Sequence, residues 1–327
     1  MSESLGIDRS VDPSLDLSVD LGGLRLPGSV MVAAGCFGTG TELDGLVDRS
    51  SLGGVVSRSI TATPVKGPPT PRMAETPSGM LSAVGLQNPG IERFLSDELP
   101  GLTATRLPVF VSVAGRSLEE YVRVTSLLQG LPGVVAIETC LSAPDEERGG
   151  EPFTSRPEHA AEAVGAVARL SSLPVFAKLP GVGIGVVETA RACVRAGAHG
   201  LTLIDAVPGM AVDTVRLAPQ LGSAVGGLSG PAIRPIAVAA VYEVARELPD
   251  VPILGVGGVS TGDDAVELML AGASAVQVGT ALLVDPMAPA AVVAGVADCL
   301  ERLGLDSVAR LRGRAHPDRA AASAKEL

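Results

Sequence analysis

Two short glycine-rich turns carry the first chemical signal in this chain. One is Gly255-Val-Gly257-Gly258-Val-Ser260-Thr261 and the other is Val278-Gly279-Thr280, and each closes an apolar run. Without a Cβ, glycine lets an oxyanion reach backbone N–H groups, and a helix starting just beyond adds a favourable dipole. Glycines here can also serve only to make tight turns. Their recurrence after two successive apolar runs favours a phosphate grip. A third stretch, Gly226-Gly-Leu-Ser-Gly230-Pro-Ala232, precedes a helical segment and can supply further N–H donors. Metal chemistry is not expected. Cys36, Cys140, Cys193 and Cys299 show no CxxC spacing, and His159, His199 and His316 show no ligand spacing, so neither a zinc site nor an iron–sulfur cluster is expected. Widely separated thiols also suit a reducing compartment.

The elements that must position these turns are short apolar runs at 30–34, 54–56, 109–113, 134–137, 175–178, 200–204, 253–256 and 275–278. They are rich in Val, Ile and Leu rather than alternating, as parallel strands buried on both faces are. Ala-rich segments of helical spacing separate most of them, at 117–129, 157–170, 186–196, 235–247 and 261–271. Ser117 with Glu120 three residues on makes a capping-box pattern, and Gly197 and Gly272 stand where a left-handed C-cap favours glycine. Eight strands alternating with helices predict a single (β/α)8 TIM barrel; a doubly wound open sheet is the alternative. The connections 61–108 and 205–251 are long, and long loops at strand C-terminal ends are where barrel enzymes keep their sites. The segment 17–27, with its Gly-Gly turn, predicts a hairpin before the barrel. This divides the chain into an extension at 1–14, the barrel domain at 15–304 and a polar tail at 305–327.

Composition excludes several function classes. The 327 residues carry 25 basic and 36 acidic side chains, a net charge of −11, which disfavours nucleic acid and anionic membranes as partners. Five Phe, two Tyr and no Trp leave the core to aliphatic side chains. The N-terminus lacks the basic start and apolar run of a signal peptide. No apolar stretch is long enough to span a bilayer. A soluble, cytoplasmic protein is expected.

Longer motifs then make the chain familiar. In order they are Met31-Val-Ala-Ala-Gly35-Cys-Phe-Gly38, Ser57-Arg-Ser59-Ile-Thr61, Gly85-Leu-Gln-Asn88-Pro-Gly90, Ala114-Gly-Arg-Ser-Leu-Glu-Glu-Tyr121, Leu201-Thr-Leu-Ile204 and Ala271-Gly-Ala-Ser-Ala-Val-Gln-Val-Gly-Thr280. Together they closely resemble the class 1 dihydroorotate dehydrogenases over about residues 15–304. The Gly-Leu-Gln-Asn-Pro-Gly form is similar to the subgroup that reaches NAD through a separate FAD/iron–sulfur subunit. The resemblance implies an FMN-bearing barrel, a homodimer, and hydride transfer between flavin N5 and a small substrate. It also implies that Ala33, Ala34, Gly35, Arg58, Ser59, Ser112, Lys178, Ile204, Gly230, Gly257, Gly258, Gly279 and Thr280 surround the cofactor. Lys178 matches the family lysine at the flavin's N1 side, where a cation stabilises the reduced ring.

The substrate side departs from the family pattern. The strand-four signature Glu-Leu-Asn-Ile-Ser-Cys-Pro-Asn reads here Glu138-Thr-Cys140-Leu-Ser142-Ala143-Pro-Asp145. The family's catalytic Cys therefore falls on Ala143, and two orotate-binding Asn fall on Cys140 and Asp145. The Asn and Thr or Ser ending strand six are Asp205 and Ala206, the family Lys touching flavin and substrate is Arg58, and a family Asn near the flavin is Ser112; Asn88 remains. Carboxylates only accept hydrogen bonds where Asn also donates. The pocket is therefore expected to take a small heterocyclic or amino-acid-like substrate rich in N–H donors, other than dihydroorotate, with Arg58 free to clamp a carboxylate. Cys140, Asp145 or water are the candidates to move the proton. The alternatives are a true dihydroorotate dehydrogenase using a different base, and a flavin-binding scaffold without turnover. The loop at 146–153, with Gly149 and Gly150, is expected to form the lid.

Overall fold

The computed structural model describes residues 12–42, 49, 51–182 and 185–317. Most of the extension predicted at 1–14, and the last ten residues of the predicted tail, lie outside the described residues. Eight parallel strands close into a barrel: β1 (Val30–Val32), β2 (Gly54–Val56), β3 (Val109–Val113), β4 (Val134–Cys140), β5 (Val175–Pro180), β6 (Gly200–Asp205), β7 (Ile253–Val256) and β8 (Ala275–Val278). Each overlaps one of the eight predicted apolar runs. The barrel, not the open sheet, is the fold because β8 pairs back onto β1, with Val276, Gln277 and Val278 facing Val30, Met31 and Val32.

The helices follow the same logic. They are α1 (Leu99–Ala104), α2 (Leu118–Leu127), α3 (Pro157–Leu170), α4 (Val186–Arg195), α5 (Arg234–Glu247), α6 (Gly262–Ala271), α7 (Thr280–Val284) and α8 (Ala288–Leu303). Ser117 caps α2 by accepting from the Glu120 N–H. The Glu120 carboxylate reaches back one residue further than expected, to the Arg116 N–H at 2.9 Å. The full reciprocal capping box is instead at α6, between Thr261 and Asp264. Few rings fill the barrel, but Phe110 of β3 and Phe176 of β5 meet inside it with centroids 5.5 Å apart.

Three further features position the open end. The predicted hairpin is present, with Val19 facing Leu26 and Asp20 facing Arg25. The two long connections are not independent loops. Strands Met73–Thr76 and Gly79–Ser82 from the first pair with Gly226–Ser229 and Val207–Gly209 from the second, as one four-stranded antiparallel sheet. The segment from 305, read from composition as a tail, is packed as far as it is described. Leu305, Val308 and Leu311 are buried, each worth roughly 1.5–3 kcal/mol against exposure. The Gly313 and Ala315 N–H groups donate to the Met269 and Leu270 carbonyls.

Candidate active site

Side-chain alternation decides what faces the barrel axis. On β5, Lys178 shares a face with the inward Phe176, and on β4 Cys140 shares a face with Glu138. The β4–β5–β6 register sets Cys140, Lys178 and Thr202 side by side. Polar groups thus gather at the C-terminal mouth, above the Phe110–Phe176 pair.

Lys178 is the centre of this layer. It is 8% exposed, and its Nζ lies 3.8 Å from Glu138 Oε1 and 3.7 Å from Asp205 Oδ1. Burial alone would lower the lysine pKa. The Glu138 and Asp205 carboxylates overcome this and hold it above the ordinary lysine value, so Lys178 stays charged. Glu138 is fully buried. Its Oε2 accepts from the Thr202 hydroxyl at 2.9 Å and the Gln277 amide at 3.3 Å, while Oε1 has no hydrogen-bond partner and faces Lys178. Sequence reasoning quoted Glu138 only as part of a motif. Its role shows only when β4, β6 and β8 meet across the barrel.

The glycine-rich turns follow β7 and β8 at this same C-terminal end of the barrel, and a Cβ on Gly279 would meet Cys36 Sγ at 3.7 Å. Thr280 Oγ1 donates to Ser229 Oγ at 2.8 Å. A Cβ on Gly230 would meet Gly79 Cα at 3.1 Å and Thr280 Cγ2 at 3.6 Å. A Cβ on Gly257 would meet Ile204 Cγ1 at 3.3 Å, and one on Gly279 would meet Ala33 Cβ at 3.5 Å. Gly35, at φ +76°, would find nothing within 4 Å of its Cβ, so it borders open space. The turns after β7 and β8, the 226–230 strand and the end of β1 therefore form one cradle. Its shape is set behind it: the Asp264 carboxylate accepts from the Ser260 and Thr261 N–H groups, both at 2.9 Å, and is held by the Arg234 guanidinium.

The other sequence-picked residues divide into two groups. Ser59 and Ser112 join the site, their hydroxyls 2.9 Å apart. Ala34, just past the end of β1, accepts the Cys36 thiol on its carbonyl. Ala206 donates its N–H to Asp205 Oδ1 at 2.9 Å. Arg58 is turned toward α1, with Nε 3.4 Å from Glu98 Oε2 and without a hydrogen bond. Asn88 is committed to its own loop. Its amide donates to the Thr61 hydroxyl and the Leu86 carbonyl, and its oxygen accepts from the Thr61 and Gly90 N–H groups. Asp145 is 1% exposed; Oδ1 accepts from the Glu147 N–H at 3.0 Å and Oδ2 from Arg148 at 2.6 Å. Arg148 also grips Glu162 on α3 at 2.5 Å. Here Asp145 fastens the loop at 144–155 rather than facing the axis. Sequence reasoning missed Arg148, although an acid and a base three residues apart was a usable signal.

Cys140 lies in the polar layer, but its thiol is pushed up to about 11. Burial is the main cause and the Asp205 charge adds to it, against smaller opposing effects of Lys178 and the Ser59 hydroxyl. Only the thiolate is a base or nucleophile. Alkylation at Cys140, followed by peptide mass spectrometry, is expected to rise about tenfold per pH unit from about pH 7 to about pH 10 without a plateau. A plateau near neutrality would mean a thiolate ready for catalysis.

The fold and this site define a β/α-barrel protein whose C-terminal mouth joins a buried lysine, two carboxylates and glycine-rich turns. The family model for dihydroorotate dehydrogenase matches residues 16–300. A Geotalea daltonii protein named dihydroorotate dehydrogenase B (NAD(+)), catalytic subunit, is 44% identical over 91% of this chain and 97% of its own length. Proteins of the same name from a Geobacillus species and from Bacillus thuringiensis are 43% and 42% identical, each over 91% of this chain and over 95% and 96% of their own lengths. The chain belongs to the dihydroorotate dehydrogenase family, whose members are FMN-dependent oxidoreductases acting on CH–CH bonds. The residues present fit FMN: Gly35 borders open space at the end of β1, glycine-rich turns end β7 and β8 at the same mouth, and a buried ammonium stands there beside a carboxylate oxygen with no hydrogen-bond partner. No helix among the described residues is long and apolar enough to cross a membrane, and no cluster of metal-binding side chains is found among them.

Proposed function

We propose that this chain oxidises dihydroorotate, or a closely related small ring, as the flavin-bearing subunit of a two-protein system that passes electrons to NAD. The observation that carries the reading is the charged, buried Lys178 at the barrel mouth where the glycine-rich turns end β7 and β8. The names of the relatives support both the substrate and the partner. Bound FMN would supply the two-electron acceptor for a hydride leaving the substrate carbon. The cradle of Gly230, Gly257, Gly258, Gly279 and Thr280 would hold its phosphate, and Ala33, Ala34, Gly35 and Ser59 would flank its ring. Lys178 supplies positive charge where negative charge gathers.

The substrate proton needs a different route from the one a family thiol provides. Ala143 cannot accept it, the Cys140 thiol is held protonated, and Asp145 is turned to Arg148 and the Glu147 N–H of its own loop. The proton therefore leaves to water, with the Ser59 and Ser112 hydroxyls to orient it. A second reading, a donor-rich substrate other than dihydroorotate, is favoured by one observation: the Asp205 carboxylate stands at the mouth, 23% exposed, where it would repel a carboxylate. Anaerobic mixing with dihydroorotate separates the two. Bleaching of the flavin on the time scale of turnover supports the first, and a flavin that stays yellow supports the second. With whichever substrate bleaches it, Cys140→Ala and Asp145→Asn are expected to change the single-turnover rate by less than about threefold. Losing a general base would cost about 10²–10⁴-fold.

A further inference from the structure

Three charges meet at the barrel mouth, and they do not cancel. Lys178 contributes one positive charge; Glu138 and Asp205 contribute two negative ones. A single counter-ion would suffice to keep a buried lysine charged, and Glu138 is that counter-ion. It is fully buried, anchored by Thr202 and Gln277, and has one oxygen with no other partner. Asp205 is the surplus. It ends β6, its Oδ1 is 3.7 Å from Lys178 Nζ, and the Ala206 N–H fixes the same oxygen at 2.9 Å. Nothing in the packing of β6 requires a carboxylate there, since its side chain is 23% exposed and points to the mouth.

We infer that Asp205 is a positioning residue that acts through Lys178 to lower the flavin's reduction potential. A cation beside the ring favours the reduced, negative form, and a second anion on that cation takes part of the preference back. The local charge goes from zero with Glu138 alone to −1 with Asp205. The surroundings are largely desolvated, so the effect is weakly screened. The consequence is functional: a lower potential makes the bound flavin harder to reduce by substrate and a better donor to the next carrier. The inference rests on the flavin placement proposed above.

The test is the midpoint potential of the FMN-loaded protein, measured against a reference dye, with the visible spectrum recorded alongside. Asp205→Asn removes the charge and keeps the shape. It is expected to raise the reduced-to-oxidised ratio at fixed potential about tenfold, an upward shift of about 30 mV for a two-electron couple. Asp205→Glu keeps the charge and is expected to stay near the parent. A merely structural role for Asp205 would move neither potential in this pattern. If the Asn variant shifts the flavin spectrum but not the potential, or lowers the potential, the inference is overturned alone. If it moves neither spectrum nor potential, the inference is again overturned alone, whereas a parent chain that binds no FMN would take the placement down with it.

Discussion

Lys178→Met destabilises this chain by about 3–5 kcal/mol, because it leaves a buried carboxylate without its counter-charge. The carboxylate is Glu138, which is fully buried and whose Oε1 faces only Lys178. Thr202 and Gln277 satisfy its other oxygen, but neither carries charge. The cost is thus specific to the unpaired ion and not to lost packing, since Met fills most of the lysine's volume. Lys178→Met with Glu138→Gln removes both charges and is expected to recover at least half the loss. Urea midpoints of the parent, the two single variants and the double variant make the cycle. If the double variant is no better than Lys178→Met, the pair is not coupled and the account fails. Where the single variant retains flavin, its single-turnover reduction is expected to slow on the order of 10²-fold, as when a group aimed at developing charge is removed.

The path from sequence to this site was uneven, and the reasons are physical. The eight strands were legible because each is buried on both faces, which leaves an unbroken Val/Ile/Leu run. The glycine turns were legible because a close backbone approach admits no other residue. The antiparallel sheet joining 73–82 to 207–229 was not, because its strands are short, glycine-containing and paired across more than a hundred residues. The pairing at Glu138 was hidden for a similar reason: its partners lie on β5, β6 and β8, and no local pattern connects them. The segment after 304 misled because its Arg and Ala content outweighed the signal of Leu305, Val308 and Leu311, three apolar residues at helical spacing that are all buried. The Asp145–Arg148 pair was missed because it forms only where the loop at 144–155 folds back on itself.

The second large effect is expected at Gly258. The residue sits at φ +79°, and a Cβ there would lie 2.6 Å from Arg234 Cβ and 3.0 Å from Arg234 Cα and N. Those are atoms at the start of α5, which cannot swing aside. Left-handed strain and overpacking together put the cost of Gly258→Ala at about 2–5 kcal/mol. The consequence extends beyond stability. Arg234 pairs with Asp264, and Asp264 holds the Ser260 and Thr261 N–H groups. Moving Arg234 therefore disturbs the turn from both ends. FMN affinity, followed by the fluorescence released as the cofactor dissociates, is expected to weaken by about tenfold or more, equal to about 1.4 kcal/mol of binding. Gly304→Ala supplies the comparison. It shares a positive φ, +63°, but its Cβ would meet nothing within 4 Å, so it carries the backbone strain of about 1–2 kcal/mol without the collision. It lies at the end of α8, away from the cradle, and should leave FMN affinity unchanged. If the two variants lose stability and FMN equally, the turn after β7 owes nothing to its contact with Arg234, and the cradle is not shaped from behind as described.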